Sequence, residues 1–82
     1  VEGILIFEGT YQVMKAEKIL MGAGIVIRLI PVPRSLTSDC GLAIRVNDSE
    51  RIRVIQTLKC GNNNPKEYYV RAGKIYTRVE EI

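Results

Sequence analysis

The sequence predicts a two-layer α/β sandwich of the α+β kind, and three observations predict it. Short apolar or alternating runs mark strands, two longer stretches carry apolar residues at helical spacing, and glycine, proline and asparagine punctuate the joins between them. The elements follow in the order strand, helix, strand, strand, helix, strand.

Gly3-Ile4-Leu5-Ile6-Phe7 is a branched, apolar run and reads as the first strand, with Gly9-Thr10 ending it and starting a helix. From Tyr11 to Met21, Val13, Ala16, Leu20 and Ala23 fall near helical spacing while Lys15 and Lys18 point elsewhere. Gly22 and Gly24 stop that helix. They do not form a dinucleotide fingerprint, which follows a strand and opens a helix.

Ile25 to Ile30 reads as a second strand, closed by Pro31-Val32-Pro33, whose prolines lack backbone donors. Leu42, Ile44 and Val46 alternate with Ala43 and Arg45 and make a third. Asn47-Asp48-Ser49-Glu50 opens a second helix, with Asn47 and Glu50 spaced as a capping pair and Ile52, Ile55 and Leu58 as its apolar stripe. Gly61 to Pro65 is a loop by composition, ending that helix near Cys60. The stretch from Glu67 to Glu80 alternates as a strand; Ala72-Gly73 would turn it into a hairpin, and the sequence leaves both forms open.

This order is that of a ferredoxin-like βαββαβ sandwich. Residues 1–82 make one domain, and 46% apolar content against 26% charge is enough to fold it without metal or disulfide staples. Such a sheet packs helices on one face. On the other, Leu5, Phe7, Val26 and Ile30 would form an apolar patch that a homo-oligomer would cover.

Composition removes several function classes. No apolar run approaches the roughly 20 residues of a membrane helix, and no basic segment with a long apolar core opens the chain, so a cytoplasmic protein without membrane contact is expected. The net charge is +3, but Arg28, Arg34, Arg45, Arg51, Arg53, Arg71 and Arg78 are spread among nine carboxylates, which reads as solubility. Tyr11, Tyr68, Tyr69 and Tyr76 put no aromatic pair on the central strands, so nucleic acid is not an expected partner. Two cysteines and no histidine exclude a structural zinc site, imidazole bases and Cys-His pairs. No metal, no cofactor and no independent catalysis are expected.

The segment from Pro31 to Gly41 is unusually specified for a connection. Pro31 and Pro33 limit its freedom, Ser35, Thr37 and Ser38 supply hydroxyls, Arg34 a cation, and Gly41 a close backbone approach. Cys40 is its chemical candidate. A thiol reacts as thiolate, which positive charge or helix N-terminal amides favour. The topology would bring Cys40 near Gly9-Thr10 and the start of the first helix, while Asp39 works against a thiolate. Cys60 would return to the same sheet edge, making a second, resolving thiol geometrically conceivable, but it reads first as a half-buried helix-end thiol of no function. Cys40 itself reads as well as a small residue packing at a strand start.

Strand, Pro31-Val32-Pro33-Arg34, a Ser/Thr-rich stretch and then Ser38-Asp39-Cys40-Gly41-Leu42-Ala43-Ile44 resembles the selenium/sulfur carrier-like family of small bacterial and archaeal proteins. The likeness also takes in Phe7, Ala16-Glu17, Leu29-Ile30 and the closing Ile75-Tyr76, although the tail from Gly61 to Arg71 is longer than the family's usual ending. The resemblance implies that Cys40 holds a terminal sulfur or selenium as a persulfide or selenosulfide, taking it from a donor protein and passing it to an acceptor. It implies nothing for Cys60. The alternative is a binding or regulatory module that docks a partner or anion through Pro31–Gly41, with Cys40 passive.

Overall fold

A computed structural model describes residues 1–36 and 41–80. Its elements are β1 (Glu2–Ile6), α1 (Thr10–Gly22), β2 (Arg28–Pro31), β3 (Leu42–Asn47), a 3₁₀ turn at Asp48–Glu50, α2 (Arg51–Cys60), β4 (Glu67–Ala72) and β5 (Ile75–Arg78). The strands form one open sheet in the order β2-β3-β1-β4-β5, with every neighbouring pair antiparallel. The tail is therefore a hairpin, turned at Gly73, whose φ of +63° is the left-handed conformation that favours glycine. No helix among the described residues is long and apolar enough to cross a membrane.

Register decides which residues share a face. Leu5 stands opposite Ile44 on one side and Tyr68 on the other, and these three, with Phe7 and Val46, bury against Val13, Ala16 and Leu20 of α1 and Val54 and Leu58 of α2. Ile4 and Ile6 point the other way. They bury with Ala43 under Leu36, and Ile30, Val32, Tyr69 and Tyr76 pack around them.

Two expectations change here. Leu5 and Phe7 belong to the helix-covered core, and Val26 precedes β2 rather than lying in a strand, so of the expected outer patch only Ile30 lies on that face. The apolar residues there are largely covered within the chain, by Leu36 and Val32 from the β2–β3 connection and by two tyrosines. The second difference lies in α2. A 3₁₀ turn takes up Asp48 to Glu50 before the helix begins, and within the helix Val54 and Leu58 face the core, Ile55 is partly buried and Ile52, about 120° around from Leu58, is exposed. The Asn47 side chain accepts from the Ser49 amide at 3.0 Å, as a cap should, but Glu50 pairs with Arg53 instead of reaching back.

A polar cluster fastens this turn to the sheet. Asp48 accepts two hydrogen bonds from Arg51, both at 2.9 Å, and a third from the Tyr68 hydroxyl at 2.7 Å. The Arg51 guanidinium lies 5.4 Å from the Tyr68 ring centre. Tyr68 fills the space over Gly3, where any side chain would overlap its hydroxyl.

The Arg51 hydrogen bonds hold the Asp48 carboxyl below its usual 3.8 against the opposing effect of burial, with help from Tyr68. A carboxyl whose pKa is lower folded than unfolded stabilises the fold fully above the unfolded value. That contribution is lost as pH falls through the folded one. Asp48→Asn is expected to cost about 2 kcal/mol at neutral pH, and to flatten the decline in stability below about pH 4, both read by urea unfolding across a pH series. Leu36→Ala, which uncovers Ile4 and Ile6, is expected to cost about 2 kcal/mol in the same assay, whereas Arg34→Ala, at an exposed turn position, should change little.

Candidate functional site

The β2–β3 connection leaves and rejoins the sheet through a closed neck. Pro31, the last residue of β2, stands opposite Leu42, and the Val32 amide donates to the Gly41 carbonyl at 3.1 Å. Gly41 has φ +74°, so the chain enters β3 through a conformation that a side chain would strain. Beyond the neck, the Leu36 amide donates to the Pro33 carbonyl at 2.9 Å and closes a turn over Pro33–Leu36. Arg34 and Ser35, at its centre, are exposed, Pro33 is half-buried, and Leu36 folds back onto the sheet at 9% exposure. Thr37, Ser38, Asp39 and Cys40 lie outside the described residues, and with them the expected thiol and two of the three expected hydroxyls.

The surroundings of the neck are described. Ile6, at the end of β1, stands opposite Ala43, so the start of β3, the end of β2 and the end of β1 share one end of the sheet. Three residues beyond Ile6, Gly9 takes the N-cap position of α1 with no side-chain hydrogen bond, and Thr10 is the first helical residue, exposed. No acidic residue occupies the first turn. Helix-start amides without a side-chain acceptor carry partial positive charge toward whatever stands before them. Arg34 has no ion-pair partner among the described residues.

Cys60 ends α2 as an exposed free thiol, and the next residue, Gly61, packs against Ile19, where a Cβ would come within 2.7 Å of the Ile19 side chain; the relation of Cys60 to Cys40, which lies outside the described residues, stays an expectation. Ile19 is in the third turn of α1, about 13 Å along the axis from its start. The loop that follows completes the return, through Asn63, whose side chain donates to the Gln12 carbonyl at 3.0 Å, and Lys66, whose amide donates to the Ile6 carbonyl at 2.7 Å.

Sequence reasoning missed the anchoring role of Val32 and Leu36. A signal was available in a leucine set among Arg34, Ser35, Thr37 and Ser38, since a lone large apolar side chain in a polar connection has to find cover. The resulting arrangement is a loop clamped at both described ends, at the same end of the sheet as the uncapped start of α1, with the Ser35 hydroxyl and the Arg34 guanidinium exposed. It is suited to presenting a small reactive or recognition segment to another molecule.

No curated protein and no solved structure matches this chain. A family model described as "Putative Se/S carrier protein-like" matches residues 2–70. The match runs from β1 into β4 and includes the whole β2–β3 connection; it stops before Ile75-Tyr76, so β5 lies beyond it. With most of its length matched, the chain belongs to the Se/S carrier protein-like family.

Proposed function

We propose that the chain is a stoichiometric carrier that holds sulfur or selenium on Cys40 between a donor and an acceptor protein. The observation that carries this reading is the family match over residues 2–70, which spans the connection containing Cys40. In loading, the Cys40 thiolate attacks the terminal sulfur or selenium of a donor persulfide or selenosulfide. A bond forms from Cys40 sulfur to that atom, the donor's bond to it breaks, and the donor leaves as a thiolate, with no net oxidation or reduction. Delivery is the same exchange with Cys40 as the leaving group.

The surroundings support this chemistry. Helix-start amides at the same end of the sheet and Arg34, which has no ion-pair partner among the described residues, favour a thiolate near the neck, and Asp39 opposes them. The strand order β2-β3-β1-β4 agrees with a ferredoxin-like sandwich to which β5 is added, an arrangement that sets the connection and the start of α1 at one end of the sheet. A reducing cytoplasm would keep the thiol free for exchange.

A second reading draws on the Pro33–Leu36 turn, which holds Arg34 and Ser35 outward between anchored neighbours. On that reading the connection docks a partner and Cys40 is passive.

Mass spectrometry without reductant separates the two, on reduced protein incubated with a cysteine desulfurase and cysteine, or with a selenium donor. The Cys40 peptide is expected to gain the mass of a single sulfur or selenium atom, to lose it on reduction, and to gain none in Cys40→Ser, while Cys60→Ser loads normally. No adduct under conditions that load a known carrier would overturn the carrier reading in favour of docking.

A further inference from the structure

At the other end of the sheet a cleft opens where β2 begins. β2 pairs with β3 from Pro31 only as far back as Arg28, which stands opposite Arg45. Val26 and Ile27 precede the strand, and between them and the end of β3 lies a cleft of about 430 Å³ lined by Glu2, Val26, Ile27, Arg28, Arg45 and Asn47, among others. That volume suits a small ligand.

Two arginines line this cleft against one carboxylate, that of Glu2. Arg28 and Arg45 are direct cross-strand partners, so both side chains leave the same face of the sheet, and like charges so placed destabilise an antiparallel pair. Arg45 has partial relief, with its Nε 3.1 Å from Glu2, but the same carboxylate also takes Arg71 at 2.7 Å. Arg28 has no ion-pair partner among the described residues. The Asn47 side-chain oxygen accepts from the Ser49 amide, and its NH₂ group has two donors to offer. Val26, 88% exposed, adds an apolar wall.

We propose that this cleft binds a small organic oxyanion, a carboxylate or a phosphate, whose charged group lies between Arg28 and Arg45 and whose apolar part lies against Val26. Guanidinium groups present paired donors that match either oxyanion, and the anion removes the repulsion between the two arginines. The site is separate from the β2–β3 connection and does not depend on what Cys40 carries.

The test is a titration of the ¹⁵N-labelled protein with sodium phosphate, acetate or isovalerate at constant ionic strength, followed by two-dimensional NMR that includes the arginine side chains. Saturable shifts at Arg28, Arg45 and Asn47 are expected with dissociation constants of about millimolar. Arg28→Gln should weaken binding about tenfold or more without lowering Tm, while Lys59→Gln, on exposed α2, should leave it unchanged. Tighter binding of isovalerate than acetate assigns a carboxylate with an apolar body, and phosphate binding tighter than both assigns a phosphate. Shifts that stay linear with every anion, or that are the same in Arg28→Gln as in the parent protein, would overturn the proposal.

Discussion

The structure depends on the double burial of β1. It is the middle strand of five, and every residue from Gly3 to Phe7 is buried. A strand that is apolar on both faces has to be covered twice. The helices cover Leu5 and Phe7, and the β2–β3 connection with Tyr69 and Tyr76 covers Ile4 and Ile6. Burying two isoleucines is worth about 4 kcal/mol, a large share of the about 5–15 kcal/mol available to a domain. Val32 and Leu36 of the connection are thus part of the hydrophobic core. A donor or acceptor that lifted Leu36 off the sheet would expose Ile4 and Ile6, so partners should engage the connection as it is folded.

The polar side of the molecule follows from the same geometry. Arg51 pairs with Asp48, Arg53 with Glu50, Arg78 with Glu67, and Arg45 and Arg71 share Glu2. For these five, dispersed charge is mutual neutralisation on the surface, where each pair is worth little by itself. Asp48 is the exception in kind, since its partners are a guanidinium and a buried tyrosine and its carboxyl is mostly enclosed. It joins the start of α2 to β4 through Tyr68, and Gly3 leaves the room that Tyr68 needs. Arg28 and Arg34 remain without carboxylate partners among the described residues, one at each end of β2.

What was legible in the sequence divides along physical lines. The strands and helices were readable because apolar runs, alternation and helical spacing are local signals. The facing of β1 was not, because a run that is apolar at every position carries no alternation from which to choose a face. Ile52 falls off the stripe because a spacing of three drifts around a helix of 3.6 residues per turn, which leaves Ile52 about 120° from Leu58 while Val54 stands beside it. The prolines and Gly41 marked the neck of the connection, whereas Leu36 finds its cover on β1 and β3, which no local pattern predicts. The pairing of Arg28 with Arg45 required strand register, a property of two segments and not of either one.

Register also ties the two ends of the sheet together. β2 is only four residues long, and the same short ladder sets Pro31 against Leu42 at the neck and Arg28 against Arg45 at the cleft. A slip of one residue would turn Leu29 out of the helix-covered core and Arg28 into it, and would separate both pairs at once. Leu29 packs against the main core and Ile30 against the outer cluster, so both faces of β2 resist that slip. An edge strand this short is a weak point in an open sheet. An anion seated between Arg28 and Arg45 would remove the one repulsive pair in its ladder, and in doing so would strengthen the strand that leads into the connection carrying Cys40.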